Sequence, residues 1–599
     1  MNIERLLDWR FWLKYVLLAM AAALPVAFYL RTYDSVTIKY TMMQFGALAA
    51  LTAWLLGGLA EGRFELPRRL LPFLLPAVAL LAWNALRFFT SPYQTAALPG
   101  FLTQEIFLVS YLLALLGLGA GDLRRILAAA AGAWGVAVVY GLLQRFGLDP
   151  FVWKGAFGDN VFSTLGNPGF FAAYLAAMAP VPLMLAADAE LSRPLRAAAL
   201  VLSVLGGAAV AFTGATAELL VYLLSLGAFG ALALARLSAE EKRPVLLGAL
   251  LSGAVCLGVF YAAAPAPDLW SSTGAQARLI RAAAGRMAAD HWLVGVGPGA
   301  FRVHYPAYRE SAQILGHGKH NIQTEHAASE PLEQLAEGGL VGLALWLWLF
   351  GAALWGGFTA AGRGVHGGYV AALVVSVSAA LAASLVALNV PRTPSFGWFM
   401  YLGAALLALL AARGGDGRVL ALPVPFAGLR LALAALVAGG AIWAGGSFAD
   451  IFASDIRHNL AIFYSKRGDW ALALEVYAKE RPGAPSYLMA QYFIGNVYAD
   501  RGRDGDLELA AQQYRKVRLL APDYVEVHYR EGVALKKLGR YAEAVERMER
   551  QVALDPVWPE AWRELAWLYA ESGDKAKADE AGRRAVEAEA AWGRTRASS

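Results

Sequence analysis

Apolar stretches of about twenty residues recur between short charged loops through the first three quarters of this sequence. Wound as a helix, each would cross about 30 Å of hydrocarbon. We read thirteen such spans, at roughly 11–30, 41–60, 70–88, 106–120, 126–144, 169–187, 195–213, 217–235, 245–264, 338–359, 368–388, 395–412 and 430–447. Composition agrees: 58% of residues are hydrophobic and 16% charged, where a soluble globular chain carries about a quarter charged residues. The expected fold class is therefore all-α, with a polytopic helical bundle over residues 1–450. Residues 451–599 read as a soluble domain. The net charge of +6 reflects loop topology more than a nucleic-acid surface. The single cysteine, Cys256, lies in an apolar span, which leaves no intrachain disulfide and no thiol metal site. No cleavable signal stands out, because the first apolar stretch is followed by many more.

Sidedness follows from the excess of Lys and Arg in cytoplasmic loops. With the N-terminus inside, the inside segments hold seventeen basic residues, among them Arg5, Arg10, Arg63, Arg124, Arg363 and Arg418. The short outside loops hold five: Arg31, Lys39, Arg145, Lys154 and Arg392. An odd number of spans then puts the C-terminal domain outside, periplasmic in a cell with two membranes. The loop 265–337, far longer than the rest, falls on the same side. Asn389, Pro391 and Arg392 form a short outside loop, from which Arg392 would reach a head group or simply mark topology.

The C-terminal domain has a period. Gly468 and Gly502 are 34 residues apart, as are Gly539 and Gly573, and Pro522 and Pro556. Around the glycines run helical patterns with alanines where paired helices would touch. A period of 34 is that of the tetratricopeptide (TPR) helix–turn–helix repeat. Four repeats, the second lengthened by three residues, predict an α-solenoid whose groove takes a peptide or a partner helix.

Chemistry concentrates in the long loop. Residues 291–326 hold five of the eight histidines: His291, His304, His317, His320 and His326. Arg278, Arg281, Arg286, Arg302 and Arg309 lie among or just before them. Clustered bases and cations beside a membrane suit an anionic head group and a proton to move. Arg278, Arg281 and Arg286 would share neighbouring parts of one helix face, as an oxyanion clamp or as an ordinary polar face. Two other readings stand beside this one: a solvated loop with incidental histidines, and a metal site from His317-x-x-His320 with Glu325 and His326. "GVGPGAF" at 295–301 is a tight-turn signal without the features of a phosphate loop.

Several segments together resemble the O-antigen ligase and O-antigen polymerase family, including its TPR-bearing members. "FSTLGNPGFFAAYL" (162–175) is similar to that family's entry into a span. "RLIRAAAGRMAADHWLVGVGPGAFRVHYPAYR" (278–309) and "HAASEPLEQLAEGGLVGLALWLWLF" (326–350) resemble its two loop blocks. The resemblance covers most of the chain. It implies an inner-membrane, metal-independent, inverting glycosyltransferase that needs no cofactor. Such an enzyme takes a glycan from an undecaprenyl-pyrophosphate carrier and passes it to a lipid, glycan or protein acceptor.

The resemblance also implies site residues. His326 would be the base and Arg278 would neutralise the leaving diphosphate. Arg281, Arg286, His320, His291, Arg302, Arg309 and Asn167 would contact substrate, although Asn167 also suits a helix entry. Two departures bear on this. The family's His and Asn fall on Ala328 and Ser329, two residues past His326, so His326 serves only if this stretch is not helical. The family's "TGSRG" arginine falls on Thr216, with Glu218 close by. Two further classes remain open: a non-catalytic homologue that recruits a partner through its TPRs in cell-surface polysaccharide assembly, and a transporter or flippase.

Overall fold

The structure, a computed structural model, describes residues 8–34, 36–153, 160–263, 272–361, 366–386, 392–414 and 417–598. Arg5, Lys154, Arg363, Asn389 and Pro391 lie outside the described residues. The chain is helical almost throughout, with a single two-stranded sheet among the described residues. Twelve of the described helices are long and apolar enough to cross a membrane.

The first expected span, 11–30, is a 15-residue helix, Trp9–Ala23, too short to count with the others. Its early end has a local cause at Pro25, which has no amide hydrogen to continue the ladder. The carbonyls left over are taken up by other elements: Lys39 Nζ donates to Pro25 O at 2.8 Å, Thr164 Oγ1 to the same oxygen at 2.7 Å, and Ser395 Oγ to Leu24 O at 3.1 Å. Lys39, expected in an outside loop, is instead buried in the helix Thr37–Glu61.

The sheet pairs Arg63–Pro67 with Val419–Pro423, antiparallel, Glu65 opposite Ala421. It gathers one end of the bundle, where Arg10 meets Glu61 at 2.9 Å and Arg124 meets Asp188 at 2.8 Å. The helices that build the other end are labelled here α1 (Thr37–Glu61), α2 (Gln94–Gly117), α3 (Ser272–Asp290), α4 (Glu330–Ala360), α5 (Ala427–Lys466) and α6 (Tyr487–Arg501). α1 begins at that end and finishes beside the sheet, about 36 Å away at 1.5 Å per residue.

From residue 272 onward the long loop is ordered structure. It contains α3, a short helix Phe301–His304 and a further helix Ser311–His317. α4 starts eight residues before the expected 338 and is broken at Gly339 (φ 67°, ψ −169°). The break lets the glycine-rich turn lie along it: Val296 N–H donates to Ala336 O and Gly297 N–H to Glu337 O, both at 2.9 Å, while Leu340 N–H donates to Trp292 O at 2.8 Å. Gly295 and Gly339 both have positive φ, and neither has room for a side chain: one on Gly295 would meet the backbone of Glu337 and Gly339, and one on Gly339 that of Leu293 and Val294.

Four helix pairs form the C-terminal domain, and each of the expected turn glycines, Gly468, Gly502, Gly539 and Gly573, has the positive φ of a helix-ending turn. The boundary expected near residue 450 falls inside α5, which runs 40 residues without interruption from the bundle into the first repeat. The repeats pack onto the bundle. Ala96 and Val303 share an apolar cluster with Leu488, Tyr492, Tyr514 and Tyr524.

Candidate functional site

The segment before α4 is not helical. Ala328 has φ 57° and Ser329 φ −165°, and the helix begins only at Glu330, with Pro331 in the first turn, where its missing amide hydrogen costs little. His326 therefore sits on a turn that folds back over the helix start. Its Nδ1 lies 2.7 Å from Glu333 Oε1, and the Ala327 amide donates to Glu333 Oε2 at 3.1 Å.

Glu330, Glu333 and Glu337 recur at three and four residues, so they project from one face of α4. All three are buried, and all three converge on Arg392, itself 4% exposed. Arg392 Nε donates to Glu330 Oε2 at 2.9 Å, and its NH2 group lies 3.4 Å from Glu337 and 3.7 Å from Glu333. The remaining acceptor capacity is satisfied nearby: Gln104 Nε2 reaches Glu337 Oε2 at 2.7 Å, the Phe301 amide reaches Glu337 Oε1 at 3.2 Å, and Gln334 Nε2 reaches Glu330 at 2.8 Å. The three neighbouring carboxylates hold the Arg392 guanidinium charged although it is buried. Burial by itself would lower the pKa of His326, but the charge and hydrogen bond of Glu333 outweigh it and raise the value above that of a free imidazole.

His326, Glu333, Glu337 and Arg392 form one wall of a cavity of about 170 Å³. The start of α1 contributes Thr37, Tyr40, Thr41 and Gln44, with Tyr33 and Asp34 just before it. α2 contributes Pro99, Gly100 and Thr103, and the loop gives Gly299, Arg302 and Glu325. The far wall comes from the C-terminal part of the chain: Ile451 and Asp455 on α5, then Gly483, Pro485, Ser486 and Met489 at the entry of α6.

Of the sequence-chosen residues, His326, Arg302 and Arg392 line this cavity, with Glu325 of the metal alternative; Arg278, Arg281, Arg286, Arg309, His291, His320 and Asn167 do not. Arg281 lies behind it, its NH1 group 3.4 Å from the carbonyl of Ala328, two residues from His326. Burial and the nearby Arg278 both lower the pKa of Arg281, so the two guanidiniums sit within electrostatic reach of one another on α3. Arg286 turns away to Glu310 at 2.6 Å and Tyr308 O at 2.8 Å, so the three arginines of that helix do not act as one clamp. Arg309 is committed to the Ile322 carbonyl at 3.1 Å. Asn167 caps the helix Pro168–Met178, accepting from the Gly169 amide at 2.8 Å, which is the helix-entry role.

The histidine cluster is dispersed. His320 is a docking residue: its ring stacks on Trp558 at 4.6 Å and 8°, with Nδ1 2.8 Å from Asp555 Oδ2 in the repeat domain. His317 closes its own short helix on Gln313 O at 3.1 Å. His291 and His304 meet edge to face at 6.0 Å. Burial, with His291 beside it, pushes His304 down to about 4. The metal alternative placed His317, His320, Glu325 and His326 together, and these side chains occupy separate environments; among the described residues no group of three such side chains is arranged around an ion position. Tyr305, in the same loop, is buried and donates to Gln313 Oε1 at 2.6 Å.

Sequence reasoning missed Glu333, Glu337, Asp34, Asp455 and Gln44. The glutamate pattern E-x-x-E-x-x-x-E at the head of an apolar span was the available signal, since three acids on one face cannot face lipid. Nothing in the sequence brings Asp34 and Asp455 together across more than four hundred residues.

Comparison with known proteins bears on the repeat domain. The tetratricopeptide repeat family matches residues 525–557. The solved structure of MamA AMB-1 shares 26% identity over 23% of this chain and 79% of that one, with a TM-score of 0.21. MamA MSR-1 shares 27% over 24% and 79%, and the MamA RS-1 ArsTM double mutant 22% over 24% and 83%, each with a TM-score of 0.21. No curated protein matches the chain.

Proposed function

We propose that this chain is an integral-membrane glycosyltransferase that moves a glycan from an undecaprenyl-pyrophosphate carrier to a lipid, glycan or protein acceptor, in the manner of the O-antigen ligases and polymerases it resembles. The observation that carries the reading is the His326–Glu333 pair at the cavity wall, with Arg281 and Arg278 on the helix behind it. With the proton on Nδ1 and donated to Glu333, Nε2 keeps its lone pair for the substrate side. An acceptor hydroxyl in the cavity gives its proton to Nε2 while its oxygen attacks the anomeric carbon. The bond from that carbon to the pyrophosphate oxygen breaks with inversion, and Arg278 and Arg281 stabilise the charge that collects on the leaving diphosphate.

The proposal carries a topology. The end bearing the sheet, Arg10, Arg63 and Arg124 lies in the cytoplasm of a bacterial inner membrane, and the cavity and repeat domain lie outside. A reporter fused after Ser599 that is active only in the cytoplasm would contradict it. The repeats offer a groove for a protein partner. Ala328 and Thr216, at positions where the family has His and Arg, favour a second reading, a homologue that binds the carrier and serves assembly without turnover.

The test uses the full chain in lipid nanodiscs with labelled carrier-linked glycan and candidate acceptors. The proposal expects product from the wild type and a loss of at least a hundredfold in His326→Ala and Arg278→Ala. Product formation untouched by either substitution would end the site assignment. Carrier binding without turnover would select the assembly reading.

A further inference from the structure

The two strands of the sheet come from distant parts of the sequence and meet where four long apolar helices end. Arg63–Pro67 follows α1 and leads into the helix Leu71–Thr90, while Val419–Pro423 lies between the helix Pro394–Ala411 and α5. A two-stranded sheet leaves the outer edge of each strand without a strand partner. Such backbone groups are not tolerated in hydrocarbon, where nothing hydrogen-bonds to them. In the membrane reading proposed above, the sheet therefore lies at the polar boundary of the bilayer.

The sheet has an apolar face. Its register sets Phe64 opposite Leu422 and Leu66 opposite Leu420, so these four side chains share one side. Phe64 places its ring 5.0 Å from that of Trp54 on α1. Leu420 and Leu422 stay 37% and 47% exposed, and Phe426, just past the strand, 70%.

Arginines gather at one end of it. The Arg68 amide donates to the Arg418 carbonyl at 3.0 Å, which extends the strand pairing, and the turn Ala412–Gly414 packs on Arg68–Leu70. Arg68, Arg69, Arg413 and Arg418 are thus neighbours, and all four are exposed. Glu61 and Glu65 are engaged elsewhere, with Arg10 at 2.9 Å and with Arg63 at 2.8 Å. Asp416 lies outside the described residues. Sidedness alone would put arginines in each of these loops, but it does not require two distant loops to pair so that four of them share one end. Like charges held together repel, and an anion between them offsets the repulsion.

We infer that this end of the sheet binds the phosphate of an anionic phospholipid of the same bilayer, with Arg68, Arg69 and Arg418 on the phosphate and Leu420, Leu422 and Phe426 against the acyl chains. Arginine forks match phosphate oxygens, and basic groups beside a membrane draw anionic lipid. The exposed leucines decide between a lipid and a soluble anion, because only the lipid covers them. A lipid held here braces the junction of α1 with α5, the helix that continues into the repeats. The inference rests on the membrane reading and on none of the transfer chemistry.

The experiment titrates the full chain in detergent with phosphatidylglycerol or phosphatidylcholine of matched acyl length and counts bound lipid by native mass spectrometry. Phosphatidylglycerol should bind about tenfold tighter, and Arg68→Gln, Arg69→Gln and Arg418→Gln should each weaken it about fivefold while phosphatidylcholine is unchanged. Arg193→Gln, an exposed arginine of another loop, should leave the preference intact. Leu420→Ser combined with Leu422→Ser should weaken both lipids. Phosphatidylglycerol with a photoreactive acyl chain should label residues 419–426 of the unaltered protein, a readout that survives if a variant fails to fold. Equal binding of the two lipids, a preference that outlasts all three arginine substitutions, or labelling confined to other segments would each overturn the site. Displacement of the lipid by inorganic phosphate in large excess would overturn it too, in favour of a soluble anion.

Discussion

His326 Nδ1 stands 2.7 Å from Glu333 Oε1, across the turn that separates the loop from the first turn of α4. The pair sets the protonation state of the ring that faces the cavity. Because the His326 pKa is raised, activity that needs a neutral imidazole should rise with pH through a value above the ordinary ~6.5. In Glu333→Gln the raising charge is gone and burial dominates, so the acid limb should move to lower pH. A kcat/KM profile against pH, or the His326 imidazole titration followed by NMR, checks this; an unmoved limb would remove Glu333 from the mechanism.

The same pair makes a statement about stability. A histidine whose pKa is raised on folding binds its proton more tightly in the native state. Its contribution is therefore fully present below the unfolded value of about 6.5 and is lost as pH rises through the folded value. Wild-type protein should lose more melting temperature between pH 6 and pH 9 than His326→Gln, compared in the same detergent.

Arg392 should be the least replaceable residue near the cavity. Arg392→Ala leaves Glu330, Glu333 and Glu337 buried together without compensation, a loss of about 3–5 kcal/mol for a broken buried ion pair. Arg392→Lys keeps the charge but cannot reach the flanking carboxylates with one planar group, and should recover only part of the melting temperature.

Gly339→Ala should disturb the site without touching it chemically. The break at this residue lets the turn at 295–297 hydrogen-bond to the carbonyls of Ala336 and Glu337. Its backbone conformation is nearly restricted to glycine, and strain of that kind costs about 1–3 kcal/mol before any clash with Leu293 is counted. Reduced yield and faster hydrogen exchange at 292–300 are the expected signs.

His320→Ala should loosen the repeat domain rather than alter the chemistry. The substitution removes a ring stacked on Trp558, worth about 0.5–1.5 kcal/mol, and leaves the buried Asp555 without its partner. Limited proteolysis should cut faster in the last two repeats, while the His326 titration stays in place.

The helical architecture was legible because long apolar runs and the 34-residue period both show directly in hydropathy and glycine spacing. The turns at Gly468, Gly502, Gly539 and Gly573 are the clearest case, each needing a residue that tolerates positive φ. The short first helix was misread as a full span because hydropathy continues through Pro25 while the amide ladder does not. The site was legible only in part. His326 could be chosen from the loop, but its partner Glu333 lay within what hydropathy treats as the approach to a span. The cavity joins residues near 34, 44, 100, 300, 326, 392, 455 and 486, and contacts at such separations leave no periodic trace. Arg286, Arg309 and His320 have the residue types of a head-group site, yet each is bound to a nearby carboxylate or carbonyl, which only three-dimensional placement reveals.

α5 runs unbroken from the bundle into the first repeat, and its register fixes how the repeats face the cavity. Inserting a single residue midway along Ala427–Lys466 would turn everything beyond it by about 100° and carry Asp455, Ser486 and Met489 off the wall they complete. The length of this helix thus decides which residues of the repeats close the cavity, and an insertion of a whole number of turns should be tolerated there better than one of a single residue.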